Sequence, residues 1–297
     1  MSDTNRQVFG GEWTREKLDR LAKYLHAYTT IFTKNPKARF FDTVYVDAFA
    51  GAGYIQTAKA GPSQRALFAE LTQQDAQGYI KGSAVRALEV EPGFDKYLFI
   101  EKSAERCKEL ENLKTKYPTK KEKIDIVNGN ANEYLQDWCR NTDWSKTRAV
   151  VFLDPWGMEV EWSLVEEIAR TQAIDLWYLF PLGIGVMRLL TSREPPPEAW
   201  GTRLTKILGP DWKQEFYLRT TEPALFGPIE RQVRAADYEA VGTFFLKRLK
   251  KIFARVAPKP YVLRNSKNTP LYLFCFAAGN PKGAPTAVKI AQEIMGE

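Results

Sequence analysis

Four stretches of this sequence close an apolar run on polar groups suited to holding a ligand. "VYVDAFAGAGY" reaches Asp47 and then passes through Phe49, Gly51 and Gly53. "KYLFIEKS" ends at Glu101, "KIDIVNGNAN" at Asn130 and Ala131, and "RAVVFLDPWG" at Asp154, Pro155 and Trp156. Glycine lets a backbone approach a ligand closely and adopt turn angles closed to other residues. The spacing is not G-x-G-x-x-G, because Gln56 stands where the third glycine would be, which disfavours a pyrophosphate-binding dinucleotide site. An acid ahead of the glycines suits a cofactor with an amino acid moiety, whose ammonium the network around Asp47 can hold. A carboxylate at Glu101 can accept bonds from both hydroxyls of a ribose. An amide at Asn130 can bond the amino edge of adenine, and equally can close an Asx turn. Asp154 and the carbonyl beside Pro155 can accept hydrogen bonds from a substrate amine. Proline withholds its own donor there, and Trp156 offers a flat face to a planar group. Each residue alone also fits a plain turn or ion pair. In order on successive strands, they point to an adenosine-containing ligand.

Other chemistries are poorly supplied. His26 is the only histidine and lies in the helical pattern "REKLDRLAKYLHAYTTIF", so a two-histidine metal site is excluded. Cys107, Cys139 and Cys275 are scattered, without C-x-x-C spacing, and read as buried small hydrophobes in a reducing cytosol. Reactions that need mainly positioning fit this inventory best. The 297 residues, 44% of them hydrophobic, are ample for a packed core. No apolar run reaches the ~20 residues that span a bilayer, and "MSDTNRQVFGGEWTREK" lacks a signal peptide's apolar core. A soluble, cytoplasmic protein without membrane contact is expected.

The elements that must position these residues follow from periodicity. Spacing of Leu18, Leu21, Leu25, Tyr28 and Phe32 predicts an N-terminal helix over about 13–34. Five runs apolar on both faces then alternate with helical stretches, which predicts a parallel sheet covered on both sides. A long helix is expected over Ile229 to Val256, followed by an antiparallel hairpin at about 260–278. The whole reads as one α/β domain over 1–297. Its Rossmann-like, mostly parallel seven-stranded sheet carries helices on both faces. Insertions at about 58–81 and 191–228 fall near the strands' carboxyl edge, where lids usually sit.

The stretches "VDAFAGAG", "GSAVRAL", "YLFIEKS", "NGNAN", "VVFLDPWGMEVEW" and "IDLWYLFPLGIGVMRLL" resemble the class I S-adenosylmethionine-dependent methyltransferases, and more closely the three-Cys-motif partner (TcmP) family. The resemblance runs from about Trp13 to the end. It implies a methyltransferase-like fold, S-adenosyl-L-methionine as cofactor, and a partner protein that carries the three-cysteine motif. The fold's usual roles fall on Asp47, Phe49, Gly51 and Gly53 for the methionine part, Glu101 for the ribose, and Asn130 with Ala131 for adenine. Asp154, Pro155 and Trp156 fall where amino-methyltransferases carry an acid or amide, two prolines and an aromatic. Here there is one proline, and the aromatic comes one position early, before Gly157.

Methyl transfer to nucleic acid, DNA or RNA, is therefore the expected activity. The formal charge is +7, and "KRLKKIFARVAPK" holds six basic residues and no acid, with Lys247, Arg248, Lys250, Lys251 and Arg255 as a phosphate-facing surface. Arg188, Arg193 and Arg203 add positive charge after the fifth strand. The alternative is a cofactor-binding interaction module that transfers no methyl group itself. A nicotinamide-dependent oxidoreductase lacks its glycine fingerprint.

Overall fold

The computed structural model describes residues 11–52, 54–55, 80–222, 229–265 and 267–296. Gly53 and nearly all of the 58–81 insertion lie outside them. Helix α1 (Gly11–Lys34) leads into β1 (Asp42–Asp47), and a short antiparallel pair, β2 (Tyr54–Ile55) and β3 (Ile80–Lys81), precedes α2 (Ser83–Leu88). There follow β4 (Lys96–Glu101), α3 (Ala104–Lys116), β5 (Ile124–Asn128), α4 (Ala131–Asn141), β6 (Thr147–Leu153), α5 (Trp162–Arg170) and β7 (Ile174–Phe180). Next come α6 (Met187–Leu189), α7 (Glu198–Leu208), α8 (Trp212–Phe216) and a hairpin of β8 (Tyr217–Glu222) with β9 (Ile229–Arg234). The chain closes with α9 (Tyr238–Ile252), β10 (Arg255–Val256), β11 (Tyr261–Arg264), β12 (Pro270–Ala278) and α10 (Ala284–Gly296).

The main sheet runs β10-β12-β7-β6-β1-β4-β5, with β11 also on β12. The five strands from β5 to β7 are parallel, and β12 enters antiparallel to β7. This order, with one antiparallel strand next to the edge, is the class I methyltransferase type of Rossmann-like sheet. The edge holds β10 and β11 on the two ends of β12, so eight strands pair rather than the seven expected. From β1 the chain first builds outward through β4 and β5, then returns to lay β6 on the other side. The crevice between β1 and β6 is thus the switch point, where open α/β sheets bind ligands at their strands' carboxyl ends.

Burial explains the strand sequences. All seven residues of β7 are buried, because helices cover both faces. One core layer joins the sheet to α4, α5, α7 and α9, and the other joins it to α1, α2, α3 and α10. Side chains such as Trp177 and Phe180 are wholly buried, each contributing about 1.5–3 kcal/mol. Asp175 sits in this interior and accepts a 2.7 Å bond from Tyr24 Oη of α1. Burial raises its pKa from 3.8 to about 7. The three cysteines are free and buried, as read from the sequence. No helix among the described residues is long and apolar enough to cross a membrane.

One expectation is corrected. The helix read over Ile229 to Val256 begins as strand β9, becomes helical only at Tyr238, and ends in strand β10. Ile229, Arg231 and Val233 alternate with period two and pair with β8. Asp237 then starts the helix, its side chain accepting from Ala240 N at 2.8 Å.

Candidate cofactor and acceptor site

Asp47 ends β1 with no solvent exposure. Its carboxylate accepts from Tyr45 Oη and from Phe49 N, each at 3.4 Å. Burial lifts its pKa from 3.8 to about 7; the Ser83 hydroxyl draws it back, and the charge of Asp154 adds to the rise. The chain beyond Asp47 is stitched to both neighbouring strands: Ala48 N donates to Phe152 O, and Ala50 N to Ile100 O. Phe49 packs its ring against the core below. Gly51 then adopts φ +62°, and a Cβ there would meet no atom of the described residues within 4 Å. The left-handed turn, clear of the other described residues, offers a ligand bare backbone.

Glu101, at the end of β4, is bonded into this turn. Oε2 accepts from Gly51 N at 3.0 Å, Oε1 accepts from Ser103 N at 2.8 Å, and Arg106 stands 3.7 Å away. The two amide bonds use about half of the roughly four acceptor positions of a carboxylate. Asn130 is the N-cap of α4. Its Oδ1 accepts from Asn132 N at 2.9 Å, and its Nδ2 donates to Glu133 at 3.2 Å. The Asx-turn alternative is therefore realised at this residue, and the side-chain acceptor faces its own helix. Ala131, next to it, is buried.

After β6, Asp154 receives Lys17 Nζ on Oδ2 at 2.5 Å. Lys17 comes from α1, and its side chain is 6% exposed. Sequence reasoning missed it, because a lysine in an amphipathic helix carries no sign of a partner 137 residues away. Tyr272 of β12 is buried close by; burial and the Asp154 charge push its hydroxyl pKa well up, against the pull of Arg188. Pro155 is buried, Gly157 turns the chain with φ +76°, and Trp156 is 55% exposed. Arg106 lies 5.9 Å from the Trp156 ring as well as beside Glu101, and so connects the indole with the β4 carboxylate. Asn132 fixes the loop beyond: its Nδ2 donates to Glu159 O and its Oδ1 accepts from Glu161 N.

The structure thus gathers Asp47, Gly51, Glu101, Asp154 and Trp156 at one edge. It does not bring the expected basic run there. Arg248 is 13% exposed, paired with Asp211 at 3.1 Å and stacked 4.5 Å from the Trp162 ring, so it serves packing. Lys247, Lys250, Lys251 and Arg255 are exposed. Arg255 pairs with Ala278, which pairs with Asp175 at the start of β7. It therefore stands at the amino edge, a strand length or about 20 Å from the cleft. A depression of about 390 Å³ bordered by α8 and α9, with Phe216, Asp237, Phe244 and Lys247 in its wall, includes none of the strand-end residues.

No protein-family model matches the chain, and no curated protein matches it. Solved structures do. A Legionella pneumophila protein of the family DUF519 is 13% identical, with 96% of this chain and 91% of that one covered at a TM-score of 0.49. An S-adenosylmethionine-dependent methyltransferase from Clostridium acetobutylicum is 12% identical, covering 90% and 92%, with a TM-score of 0.35. A glycopeptide N-methyltransferase in complex with S-adenosyl-L-homocysteine is 10% identical, covering 93% of each chain, with a TM-score of 0.31. The fold assignment rests on the strand order itself.

Proposed function

We propose that this chain is an S-adenosylmethionine-dependent methyltransferase that modifies nucleic acid together with a three-cysteine-motif partner protein in the cytoplasm. The observation that carries the reading is the turn at Gly51. It is left-handed, clear of other side chains among the described residues, bonded to Glu101 and next to a fully buried acid at the switch point. These residues fit the cofactor. Asp47 favours the ammonium end, the Gly51 backbone leaves room for the methionine chain, and Glu101 has acceptor positions left for ribose hydroxyls. Asn130 and Ala131 border the adenine place, with the contact made by backbone and van der Waals surface.

The cofactor supplies an activated methyl group on sulfonium. The chain's part is alignment, which can contribute roughly 7–11 kcal/mol. Trp156 offers its exposed face to a planar acceptor, and Asp154 with the neighbouring carbonyl orients the acceptor amine. Lys17 holds Asp154 in place through the buried ion pair. The motifs quoted above support the partner assignment, and the exposed indole supports a base as acceptor. The test is incubation with methyl-labelled cofactor, the partner and mixed DNA and RNA. Label in nucleic acid supports the reading. Label in protein alone removes the nucleic-acid acceptor.

One observation favours a second reading, cofactor binding without transfer. Lys17 already engages Asp154 Oδ2, the acceptor that a substrate amine would use. In that case the same incubation leaves every fraction unlabelled while the cofactor still binds.

A further inference from the structure

The net charge of +7 has an uneven distribution. At the amino edge, four of the five parallel strands begin at an exposed cation. Arg39 precedes β1, Lys96 opens β4, Lys123 precedes β5 and Lys146 precedes β6. Arg255 of β10 continues the row at the far end. From β5 to β10 the sheet takes six strand steps, a track about 29 Å long at about 4.8 Å per step. Two exposed acids share this edge, Asp42 at the start of β1 and Asp125 in β5, while Asp95 and Asp143 are engaged by neighbouring groups. Asp95 accepts from Thr43 N and Oγ1, both at 2.8 Å, and Asp143 accepts from Ser145 N at 3.0 Å. Asp143 also stands 3.6 Å from Lys146, in a pair exposed enough to be weak.

An aromatic lies within the row. Phe40, next to Arg39, is 64% exposed. Its ring rests on Phe41 with centroids 4.0 Å apart, and the Arg148 guanidinium stands 3.8 Å from the Phe41 centroid. The exposed ring is therefore backed by a packed stack. Cations in line with such a ring are the combination that binds nucleic-acid strands without reading sequence. A strand carries one charge per about 3.4 Å of helix axis, so a track of this length faces roughly eight phosphates.

We propose that the amino edge is a backbone-binding surface for nucleic acid, with phosphates along the Arg39–Lys96–Lys123 side and the Lys146–Arg255 side and a base stacked on Phe40. The proposal deepens the nucleic-acid reading above and rests on it. The anchoring surface lies about a strand length from the transfer cleft, about 20 Å. The substrate must therefore be a polynucleotide long enough to pass from one edge to the other.

The test is fluorescence anisotropy of a labelled oligonucleotide of about 20 residues, as RNA and as DNA, between about 50 and 200 mM salt. The probe is titrated with the full chain. Arg39→Glu/Lys96→Glu is expected to weaken binding by at least about tenfold and to lower the salt slope by about 2. Phe40→Ala is expected to weaken it by about tenfold with the slope kept. Both variants should retain the wild-type melting temperature; the Gln pair replaces the Glu pair if folding suffers. Binding untouched by these changes but lost in Trp156→Ala/Arg188→Glu overturns the proposal and leaves the nucleic-acid reading standing. Absence of wild-type binding at about 50 mM salt overturns both, while cofactor titration still reports on the methyltransferase reading.

Discussion

If Asp47 holds the cofactor's ammonium end, affinity must depend on pH in a calculable way. The carboxylate is buried and its pKa stands at about 7 in the ligand-free protein. The groups that face it are Tyr45 on its own strand, Ser83 from α2, and Asp154 just after β6 with Lys17 from α1 behind. A cation favours the ionised form, so binding below pH 7 must expel a proton. Each unit of pH below about 7 then costs about tenfold in affinity, or 1.4 kcal/mol. Between pH 8 and pH 5.5 the loss is about 30-fold, near 2 kcal/mol. Calorimetric titration with S-adenosylmethionine, in two buffers of different ionisation enthalpy, reads both the affinity and the proton released. Asp47→Asn should bind at pH 8 about as weakly as the wild type does in acid, with no slope. A wild-type affinity flat over this range, or a slope that survives in Asp47→Asn, would refute the assignment. Stability runs in the opposite direction. The folded pKa is raised, so this group's contribution is fully present below about 3.8 and is lost as pH climbs through about 7.

Asp175 makes the same stability argument without a ligand. Its pKa, raised to about 7 by burial, means that the wild-type melting temperature falls between pH 5 and 8, by an amount set by up to about 3 kcal/mol. Asp175→Asn should flatten that fall in calorimetric melts, and an unchanged slope contradicts it. Gly51→Val forces a β-branched residue into φ +62° and fills the space above the turn, so cofactor binding should be lost by titration. Asp154→Ala should abolish labelled-methyl incorporation and keep cofactor affinity within about tenfold; full incorporation removes Asp154 from the mechanism. Lys17→Met leaves a part-buried carboxylate unpaired, and denaturant melts should show a loss of about 3 kcal/mol, whereas a loss below about 0.5 kcal/mol would show the pair to be weak.

The parallel strands were legible because burial on both faces leaves no polar alternation, as in "IDLWYLF". The four strand ends stood out for the same reason: a polar residue closing such a run has no role inside the core. What escaped was contact and direction. Lys17 meets Asp154 only because the first half of α1 packs on the sheet beside its carboxyl edge. Asn130 satisfied two readings equally, and the need to cap α4 engaged it. In "IERQVRAADYEAV" both periods fit, and pairing with β8 determined the outcome. The basic run was visible as charge, but its position required knowing that α9 descends to the amino edge, where β10 meets Ala278.

The most direct measurement is a calorimetric titration of the purified chain with S-adenosylmethionine, beside one with a reduced nicotinamide dinucleotide. The turn at Gly51, lacking a third glycine, predicts saturable one-to-one binding of the adenosyl cofactor and none of the dinucleotide. No heat and no melting shift at millimolar S-adenosylmethionine, or preference for the dinucleotide, would contradict the account.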